Sequence, residues 1–317
     1  MRSIRAYAPA SIGNFAAGFD VLGAALAPLD GKLLGDVVEL REAEACSLEV
    51  AGPYASQLGA ASDNLVLRSH GLFKAAVEQE GGRCPAFAFR LEKNLPVNSG
   101  LGSSASSIVA TLAGLQAALG EPLGWPEVLE LAGRAEGIFS GGIHLDNVAP
   151  SLSGGLQLVV PGRREGQAYA SRALPWFEDL VVAVVHPDFE LPTAVSRAAL
   201  PASVSMEGTV AWGRNLAALV QALHIRDRGL FSVTLRDLLA EPHRAGLVPG
   251  FREAQAAAAG AGAWGCSLSG SGPSVFAVVD ERHGEPVLDA LRQAFLKVGL
   301  ESRGWLCGLD TLGARVL

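Results

Sequence analysis

A glycine- and serine-rich segment at residues 92–107 combines the residue types that bind phosphate. Its sequence, EKNLPVNSGLGSSASS, places Gly100 and Gly102 ahead of four serines, and the apolar residues that follow recur at helical spacing. Glycines allow positive φ and close approach of the backbone to a ligand, while the first turn of a helix presents unpaired N–H groups and the positive end of its dipole. Serine hydroxyls can donate to phosphate oxygens or complete the coordination shell of Mg²⁺. We therefore interpret this segment as a phosphate-binding loop.

Other interpretations of the same loop lead to different classes of protein. A Walker A loop needs a lysine beside Ser or Thr at the start of the helix, and this segment has none there. The spacing Gly100-x-Gly102-x-x-Ala105 matches the dinucleotide fingerprint, and Glu121 lies near the distance of its ribose-binding acid, which keeps an NAD-dependent oxidoreductase as an alternative. That match is weak because a polar, proline-containing stretch separates the preceding strand from the glycines. A purely structural turn is the remaining alternative, although the density of glycine and serine argues against it.

Two more glycine-rich segments lie near the ends of the chain. Residues 8–23 read APASIGNFAAGFDVLG, and residues 267–274 read SLSGSGPS. Together with the loop they resemble the three motifs of the GHMP small-molecule kinases, the superfamily of galactokinase, homoserine kinase, mevalonate kinase and phosphomevalonate kinase. The motifs follow the order of that family and span nearly the whole chain. The resemblance implies an α+β, two-domain GHMP-kinase fold, with an amino-terminal α/β domain like domain 2 of ribosomal protein S5 and a carboxyl-terminal ferredoxin-like α+β sandwich.

The resemblance also implies ATP and Mg²⁺ as cofactors. The Mg²⁺ ligands would be Ser104 and Glu136, which are hard oxygen donors of the kind that this ion prefers. Residues 63–66 would border the adenine. The residues implied in nucleotide binding are Asn64, Pro96, Val97, Asn98, Ser99, Gly100, Leu101, Gly102, Ser103, Ser104, Ala105 and Ser106.

Within the family, the first motif is most similar to that of the homoserine kinases, because Asn14 and Asp20 bracket a Gly-Phe turn. Homoserine carries an ammonium, a carboxylate and a hydroxyl group. An aspartate suits the ammonium, and an arginine fork is the best partner for the carboxylate. Taken singly, Asp20 would be read as an Asx-turn residue, His144 as a hydrogen-bonded loop histidine and the arginines as solvated surface residues. The resemblance instead implies a substrate site made by Asn14, Asp20, His144, Asn147, Thr193, Arg197, Arg244, Gly270 and Ser271.

Residues 136–150 carry the remaining chemistry. By resemblance, Asn147 would orient the substrate hydroxyl, and Asp146 lies where mevalonate-kinase relatives place an aspartate base. Homoserine kinases are also described as transferring the proton without a protein base, so the role of Asp146 stays open. The predicted reaction moves the γ-phosphoryl group of ATP to the hydroxyl of L-homoserine, which gives O-phospho-L-homoserine and ADP in threonine biosynthesis. The residues implied in catalysis are Asn147, Asp146, Glu136 and Ser104.

Two alternatives within this fold stay open. One is another GHMP kinase, for example of the mevalonate type, and the other is a non-catalytic member that senses a metabolite. The presence of Ser104, Glu136 and Asn147 argues against the second, since a silent relative would be expected to lose them. The resemblance also suggests a homodimer.

The composition indicates a folded protein that binds small molecules. With 317 residues, 49% of them apolar, the chain is long enough for about two domains, and its loop-like middle suggests that these comprise residues 1–162 and 163–317. A net charge of −7 argues against a nucleic-acid-binding surface. No apolar run approaches the roughly 20 residues that span a membrane, and the four cysteines lack metal-ligand spacing. We therefore expect a cytoplasmic protein with no membrane and no nucleic-acid partner.

Alternating strands and helices must position these segments. Apolar and polar residues alternate in the first ninety positions, which favours antiparallel strands, and the strands are predicted at 4–8, 36–41, 47–50 and 86–91. Periodicity and capping signals predict helices at 65–80, 104–119, 126–136, 193–200, 251–259 and 285–298. Strands at 180–185 and 274–279 interleave with the later helices. This order favours an α+β sandwich over a doubly wound fold.

Overall fold

The computed structural model describes residues 3–59, 64–140, 142–163 and 167–317. Asp63, at the predicted adenine border, and Gly141, within the segment 136–150, lie outside the described residues. In the described part of the chain, no helix is long and apolar enough to cross a membrane. The helices and strands form an α+β structure built on two sheets.

The first sheet has the strand order β13-β1-β4-β6-β5. Its strands are β1 (Ile4–Pro9), β4 (Gly35–Ala43), β5 (Ser47–Ala51), β6 (Ala86–Glu92) and β13 (Arg315–Val316). The helices that share its core are α1 (Leu65–Gln79), α2 (Ser103–Ala118), α3 (Trp125–Ser140) and α4 (Val148–Ser153). The four strands and the first two helices predicted for this region are confirmed, while α3 extends beyond its predicted end and α4 was not predicted.

The prediction of antiparallel pairing is wrong at one edge of this sheet. Strand β5 runs parallel to β6, with Ser47 opposite Ala88 and Ala51 opposite Glu92. The chain between them forms α1, and such a crossover is long enough to return to the same end of the sheet. The pairs β1–β13, β1–β4 and β4–β6 are antiparallel.

The second sheet has the strand order β10-β11-β9-β12-β3-β7-β8, with β2 beside β3. Its strands are β2 (Ser11–Gly13), β3 (Leu22–Pro28), β7 (Leu156–Pro161), β8 (Tyr169–Leu174), β9 (Leu180–Pro187), β10 (Gly265–Leu268), β11 (Val275–Asp280) and β12 (Ser302–Leu309). The helices of this half are α5 (Thr193–Ala198), α6 (Met206–Ile225), α7 (Arg228–Thr234), α8 (Glu241–Arg244), α9 (Phe251–Gly260) and α10 (Gly284–Lys297). Strands β3 and β7 precede residue 162, and β13 returns to the first sheet. Strands are thus exchanged across the domain boundary suggested by the sequence, which stays a prediction.

Strands β9 and β11 of the second sheet are buried on both faces. In β11, Phe276 and Val278 face a core shared with α6 and α7, whereas Val275 and Ala277 face a core shared with α9 and α10. Successive side chains of a strand point to opposite faces, so a strand covered on both sides needs a continuous apolar run. The sequence VFAVV of β11 meets this requirement, and β9 meets it with LVVAVV.

Strand β3 approaches the segment after α3 so closely that it has no room for a side chain. A Cβ atom on Gly23 would lie 1.6 Å from the carbonyl oxygen of Asp146. The backbone of Gly23 fixes the position of the added Cβ, and the oxygen that it meets is a backbone carbonyl. Neither atom can rotate away as the end of a flexible side chain would. The glycine in β3 therefore fixes how near Asp146 and Asn147 come to the first motif.

We predict that Gly23→Ala lowers the free energy of unfolding by about 3 kcal/mol or more, because the clash is resolved only by moving backbone. Urea denaturation of the variant and of the unaltered protein measures this loss. The matched control is Gly71→Ala in α1, where no atom of the described residues lies within 4 Å of the added Cβ. The free energy of unfolding of that control should rise by up to about 1 kcal/mol, because alanine has a higher helix propensity than glycine. Equal stability of the two variants would contradict the role assigned to Gly23.

Candidate active site

The three glycine-rich segments meet at a cavity of about 640 Å³. Backbone hydrogen bonds join them: the amide of Ser11 donates to Leu101 O (3.1 Å), the amide of Ser274 to Ser99 O (3.1 Å), and the amide of Gly270 to Gly13 O (3.1 Å). Each bond links a different pair of segments. The walls of the cavity are therefore backbone held by backbone, which leaves little freedom for the loop to move by itself.

The loop between β6 and α2 takes the conformation that its glycines permit. Gly100 and Gly102 have φ values of 79° and 63°, and Gly102 is the N-cap of α2 without a side chain to cap it. A Cβ on Gly100 would lie 2.4 Å from Ser269 O, and one on Gly102 would lie 2.1 Å from Ser11 Oγ. Because the first-turn amides of a helix have no intrahelical acceptor, the start of α2 presents unpaired N–H groups beside the cavity.

Asp20 lines the cavity near His144, Arg197 and Arg244, and these four residues form what we call the Asp20 end. Its Oδ1 is 3.4 Å from His144 Nδ1 and 3.9 Å from Arg197 Nη2. Burial alone would raise the pKa of Asp20, but the hydrogen bond from His144 and the charges of His144, Arg197 and Arg244 outweigh it and lower that pKa. Nothing in the described residues hydrogen-bonds to the buried Nε of Arg197. This end of the cavity can therefore offer both a carboxylate and a guanidinium donor to a ligand.

Arg244 is fixed beneath this cluster by contacts to two segments. It is buried, its Nε donates to Ser196 O (3.1 Å), and its Nη1 donates to Gly270 O (3.1 Å). Its guanidinium carbon lies 5.4 Å from the centre of the Phe19 ring, at cation–π distance. Burial and the nearby charge of Arg197 lower the pKa of Arg244. Two guanidinium groups this close favour an anionic ligand between them.

Asp146 and Asn147 face the middle of the cavity from the start of α4. Asp146 Oδ2 accepts the backbone N–H of Asn14 (3.1 Å), and Asn147 Oδ1 accepts from Ser11 Oγ (3.0 Å). Burial, and then the negative charge of Asp20, raise the pKa of Asp146 to about 6. A carboxyl group with this pKa can exchange a proton near neutral pH.

Ser104, in the first turn of α2, and Glu136, in α3, both line the cavity and are joined by a hydrogen bond. Ser104 Oγ donates to Glu136 Oε1 at 2.7 Å. Burial raises the pKa of Glu136, against the hydrogen bond from Ser104 and the positive charges of His144, Arg197 and Lys93. Within the described ranges, no group of three or more His, Cys, Asp and Glu side chains is placed to hold a metal. Two hard oxygen donors nevertheless fit Mg²⁺, which uses few protein ligands beside water and phosphate.

Comparison with known families agrees with this geometry. The family model "GHMP kinases N terminal domain" matches residues 64–155, and "GHMP kinases C terminal" matches residues 218–297. The chain belongs to the GHMP kinase family. Both the predicted family and its two-domain α+β architecture are thus confirmed. The members of this family are kinases that use ATP as the phosphate donor.

Solved structures support the same membership. A crystal structure of homoserine kinase from Cytophaga hutchinsonii matches with a TM-score of 0.89 at 32% identity, over 100% of this chain and 98% of that one. Phosphomevalonate kinase from Streptococcus pneumoniae matches with a TM-score of 0.71 at 12% identity, over 100% and 99% of the two chains. Mevalonate kinase from L. major, in complex with R-mevalonate, matches with a TM-score of 0.67 at 14% identity, over 96% and 95%. The last two show the fold alone.

Most residues predicted for this GHMP kinase site lie on one cavity. Those that line it are Asn14, Asp20, Asn64, Val97, Asn98, Ser99, Gly100, Gly102, Ser103, Ser104, Glu136, His144, Asp146, Asn147, Thr193, Arg197, Arg244, Gly270 and Ser271. The structure brings them together from both halves of the chain. Their individual roles stay predictions.

Four residues predicted to bind nucleotide do not line the cavity. Pro96, Leu101 and Ala105 are buried behind the loop. The hydroxyl of Ser106 donates to Ala8 O (2.7 Å) and accepts the backbone N–H of Asp36 (2.8 Å), so it faces the first sheet. A helix start with serines at successive positions must turn some of them away from the ligand, and the sequence does not show which.

Asn14 lines the cavity and also joins two of the glycine-rich segments. Its Nδ2 donates to Gly270 O (3.1 Å), and its Oδ1 accepts the backbone N–H of Asp20 (3.1 Å). Both ends of its amide group are therefore used to join the first motif to the third and to shape the turn that carries Asp20.

The sequence analysis missed several lining residues, among them Lys93, Ser107 and Gln57. Gln57 Oε1 accepts the backbone N–H of Val97 (2.8 Å) and so joins the loop to the segment after β5. A lone glutamine in a loop carries no signal in the sequence. Lys93 did carry a signal in the sequence, because it directly follows a buried strand and precedes the loop.

The pKa of Asp146 leads to a prediction about stability. The unfolded carboxyl titrates near 3.8 and the folded one near 6, so the folded state holds the additional proton between these values. Protonated Asp146 therefore contributes stability that is full below about pH 4 and is lost as the pH rises through 6. Asp146→Asn removes this dependence while keeping an oxygen for the amide of Asn14. Relative to the unaltered protein, the free energy of unfolding of the variant should be higher by about 2 kcal/mol at pH 7.5 compared with pH 4.5. Urea denaturation at pH 4.5 and at pH 7.5 measures how the free energy of unfolding differs between the variant and the unaltered protein. An equal difference at the two pH values would contradict the raised pKa of Asp146.

Proposed function

We propose that this GHMP kinase transfers the γ-phosphoryl group of ATP to the hydroxyl of L-homoserine, giving O-phospho-L-homoserine and ADP. The observation that carries the proposal is the pairing of Asp20 with Arg197 and Arg244 at one end of the cavity. The carboxylate suits an ammonium, and the two guanidinium groups suit a carboxylate. An amino acid with a free hydroxyl presents both charges to this end and directs its hydroxyl toward the phosphate loop.

An acceptor without an ammonium fits the same cluster less well. Mevalonate, the ligand in the L. major enzyme, is an anion with no positive charge. It would satisfy the guanidinium groups but would place no cation against Asp20. The 32% identity over the full chain with a homoserine kinase supports the same choice.

The loop and α2 supply the nucleotide half of the proposal. The unpaired amides at the start of α2 and the positive end of its dipole stabilise the charge of the triphosphate. Mg²⁺ would be held by Ser104 and Glu136, and when bound it neutralises charge on the phosphate oxygens. Asn64 lines the cavity beside the loop, with its side chain capping α1 through the amide of Val66 (2.9 Å), which agrees with a place near the adenine.

The transfer itself requires an in-line arrangement of the hydroxyl oxygen and the γ-phosphorus. The new bond joins the substrate oxygen to the γ-phosphorus, and the bond between that phosphorus and the bridging oxygen of ADP breaks. Asn147 lies between the loop and the Asp20 end, where its amide can orient the hydroxyl. Asp146 beside it is ionised for most of its population at pH 7, since its pKa is about 6, and it accepts the hydroxyl proton.

The test measures ADP release from ATP and Mg²⁺ with L-homoserine, and separately with mevalonate and with galactose. We expect turnover with L-homoserine, and phosphorus NMR should show one phosphate monoester as product. Asp20→Asn should then lower kcat/KM for L-homoserine by about 30-fold or more, because a hydrogen bond to a charged group contributes about 1.5–3 kcal/mol.

A substrate analogue without the ammonium distinguishes the loss of the ammonium contact at Asp20 from a general loss of activity. With 4-hydroxybutyrate, which lacks the ammonium, the unaltered protein should be slow and Asp20→Asn should change kcat/KM less than about fivefold. The matched control is Asp30→Asn, at an exposed aspartate in the turn after β3. It should change kcat/KM for neither L-homoserine nor 4-hydroxybutyrate. Turnover with mevalonate or galactose but not with L-homoserine would overturn the choice of substrate and leave the kinase assignment intact.

The proposed metal pair gives a separate prediction. Glu136→Gln should lower kcat by at least about tenfold, which corresponds to about 1.4 kcal/mol of transition-state stabilisation. The variant should also need more Mg²⁺ for half-maximal rate, with little change in melting temperature, because the amide still accepts from Ser104. Titration of the rate with Mg²⁺ checks both effects. An unchanged Mg²⁺ dependence would contradict the role of Glu136 as a ligand.

A further inference from the structure

A buried ion pair joins the chain that enters the phosphate loop to the first sheet, and the proposed function uses neither of its members. Lys93 Nζ donates to Asp36 Oδ2, and the two side chains are only 2% and 0% exposed. Lys93 is the first residue after β6, and Asp36 lies near the start of β4. Transfer of two charges out of water is costly, and an apolar pair of similar volume is often as stable. The cost of burying both charges therefore indicates that this pair does more than stabilise the fold.

The carboxylate of Asp36 is fully engaged by groups around the loop. Its Oδ1 accepts the backbone N–H groups of Asn94 (2.8 Å) and Leu95 (3.1 Å), and its Oδ2 accepts from Ser107 Oγ (2.6 Å). Asp36 therefore fixes the chain that enters the loop at one side and α2 at the other. It also provides the counter-charge of Lys93.

The remaining bonds of Lys93 reach the first turn of α2. Its Nζ donates to the carbonyl oxygen of Ser103 (2.8 Å) and to Ser107 Oγ (3.1 Å). The carbonyl of Ser103 belongs to the same peptide group as the N–H of Ser104. A cation at the oxygen of a peptide group polarises that group, so that its N–H becomes a stronger donor. Ser104 lines the cavity, and its N–H, in the first turn of α2, has no intrahelical acceptor.

We propose that Lys93, with Asp36 as its counter-charge, is a positioning residue that polarises the Ser103–Ser104 peptide group and holds its N–H toward the phosphate chain of the nucleotide. The inference rests on the proposed function, since it requires a nucleotide in the loop. Lys93 acts through the peptide group and contacts neither the acceptor nor the Asp20 end of the cavity. Its loss should therefore change nucleotide binding and leave the affinity for the acceptor intact.

The test replaces both charges together, because removal of one partner of a buried pair is strongly destabilising. In the double variant Lys93→Met, Asp36→Asn, the methionine fills the volume of the lysine, and the asparagine still accepts from the amides of Asn94 and Leu95. Calorimetry measures the affinity for ATP with Mg²⁺, and steady-state rates give kcat and both KM values. We expect ATP affinity to fall by about tenfold or more, equal to about 1.4 kcal/mol, while KM for L-homoserine stays within twofold.

A milder pair of variants keeps the test decisive should the double variant not fold. Ser107→Ala removes one hydroxyl that holds both Lys93 and Asp36. Thr111→Val is the matched control one turn later, where a buried hydroxyl donates only to Ser107 O (2.7 Å). We expect Ser107→Ala to weaken ATP binding about threefold or more and Thr111→Val to leave it within twofold.

Two results would overturn the proposal: unchanged ATP affinity in a folded double variant, or equal ATP affinities of Ser107→Ala and Thr111→Val. Nucleotide binding is measured without an acceptor. Failure of L-homoserine as a substrate would therefore overturn the proposed function while this comparison continues to report on Lys93.

Discussion

The close packing of glycine backbone against Asp146 and Asn147 is the constraint on which the site depends. A Cβ on Gly13 would lie 2.5 Å from both Asp146 Oδ2 and Asn147 Nδ2, one on Gly23 would meet the carbonyl of Asp146, and one on Gly102 would lie 3.0 Å from Asn147 Oδ1. The first motif and the phosphate loop, which are distant in sequence, thus converge on two adjacent residues. Side chains of any size would separate these segments, and the polar groups between them would then be too far apart to hydrogen-bond.

The same packing explains the distribution of charge. The chain carries a net charge of −7, yet its cavity holds Arg197, Arg244 and Lys93. Each of these cations has a carboxylate within its own cluster, Asp20 near the arginines and Asp36 beside the lysine. A ligand anion therefore meets fixed local dipoles and charges, while charges on the outer surface more than a Debye length of about 8 Å away are largely screened. The net charge argues against an extended polyanion and permits a small one.

The sequence predicts those parts of the molecule that local patterns determine. The glycine spacing at 100 and 102 predicted a phosphate loop before a helix, and α1 and α2 followed from apolar periodicity and from the cap at Asn64. The direction of β5 could not be predicted, because it depends on where the crossover through α1 returns the chain. The orientation of Ser106 depends on the position of Asp36, which is seventy residues away in sequence. Lys93 illustrates the same limit, since a lysine beside a polar loop is normally solvated and only tertiary contacts bury it.

The acceptor end of the cavity requires both halves of the chain at once. Asp20 and His144 come from the first half, while Arg197 and Arg244 come from α5 and α8 of the second. The loop is held in the same way, because Gly100 O accepts from Ser269 Oγ (2.6 Å) and Ser99 O accepts from the amide of Ser274 (3.1 Å). Neither half alone can therefore present the charge pattern or hold the loop. Since β3, β7 and β13 also cross between the halves, separation of the two would break sheet hydrogen bonds as well as the site. Binding of a ligand to both ends of the cavity then stabilises the whole fold, and not one domain of it, by mass action.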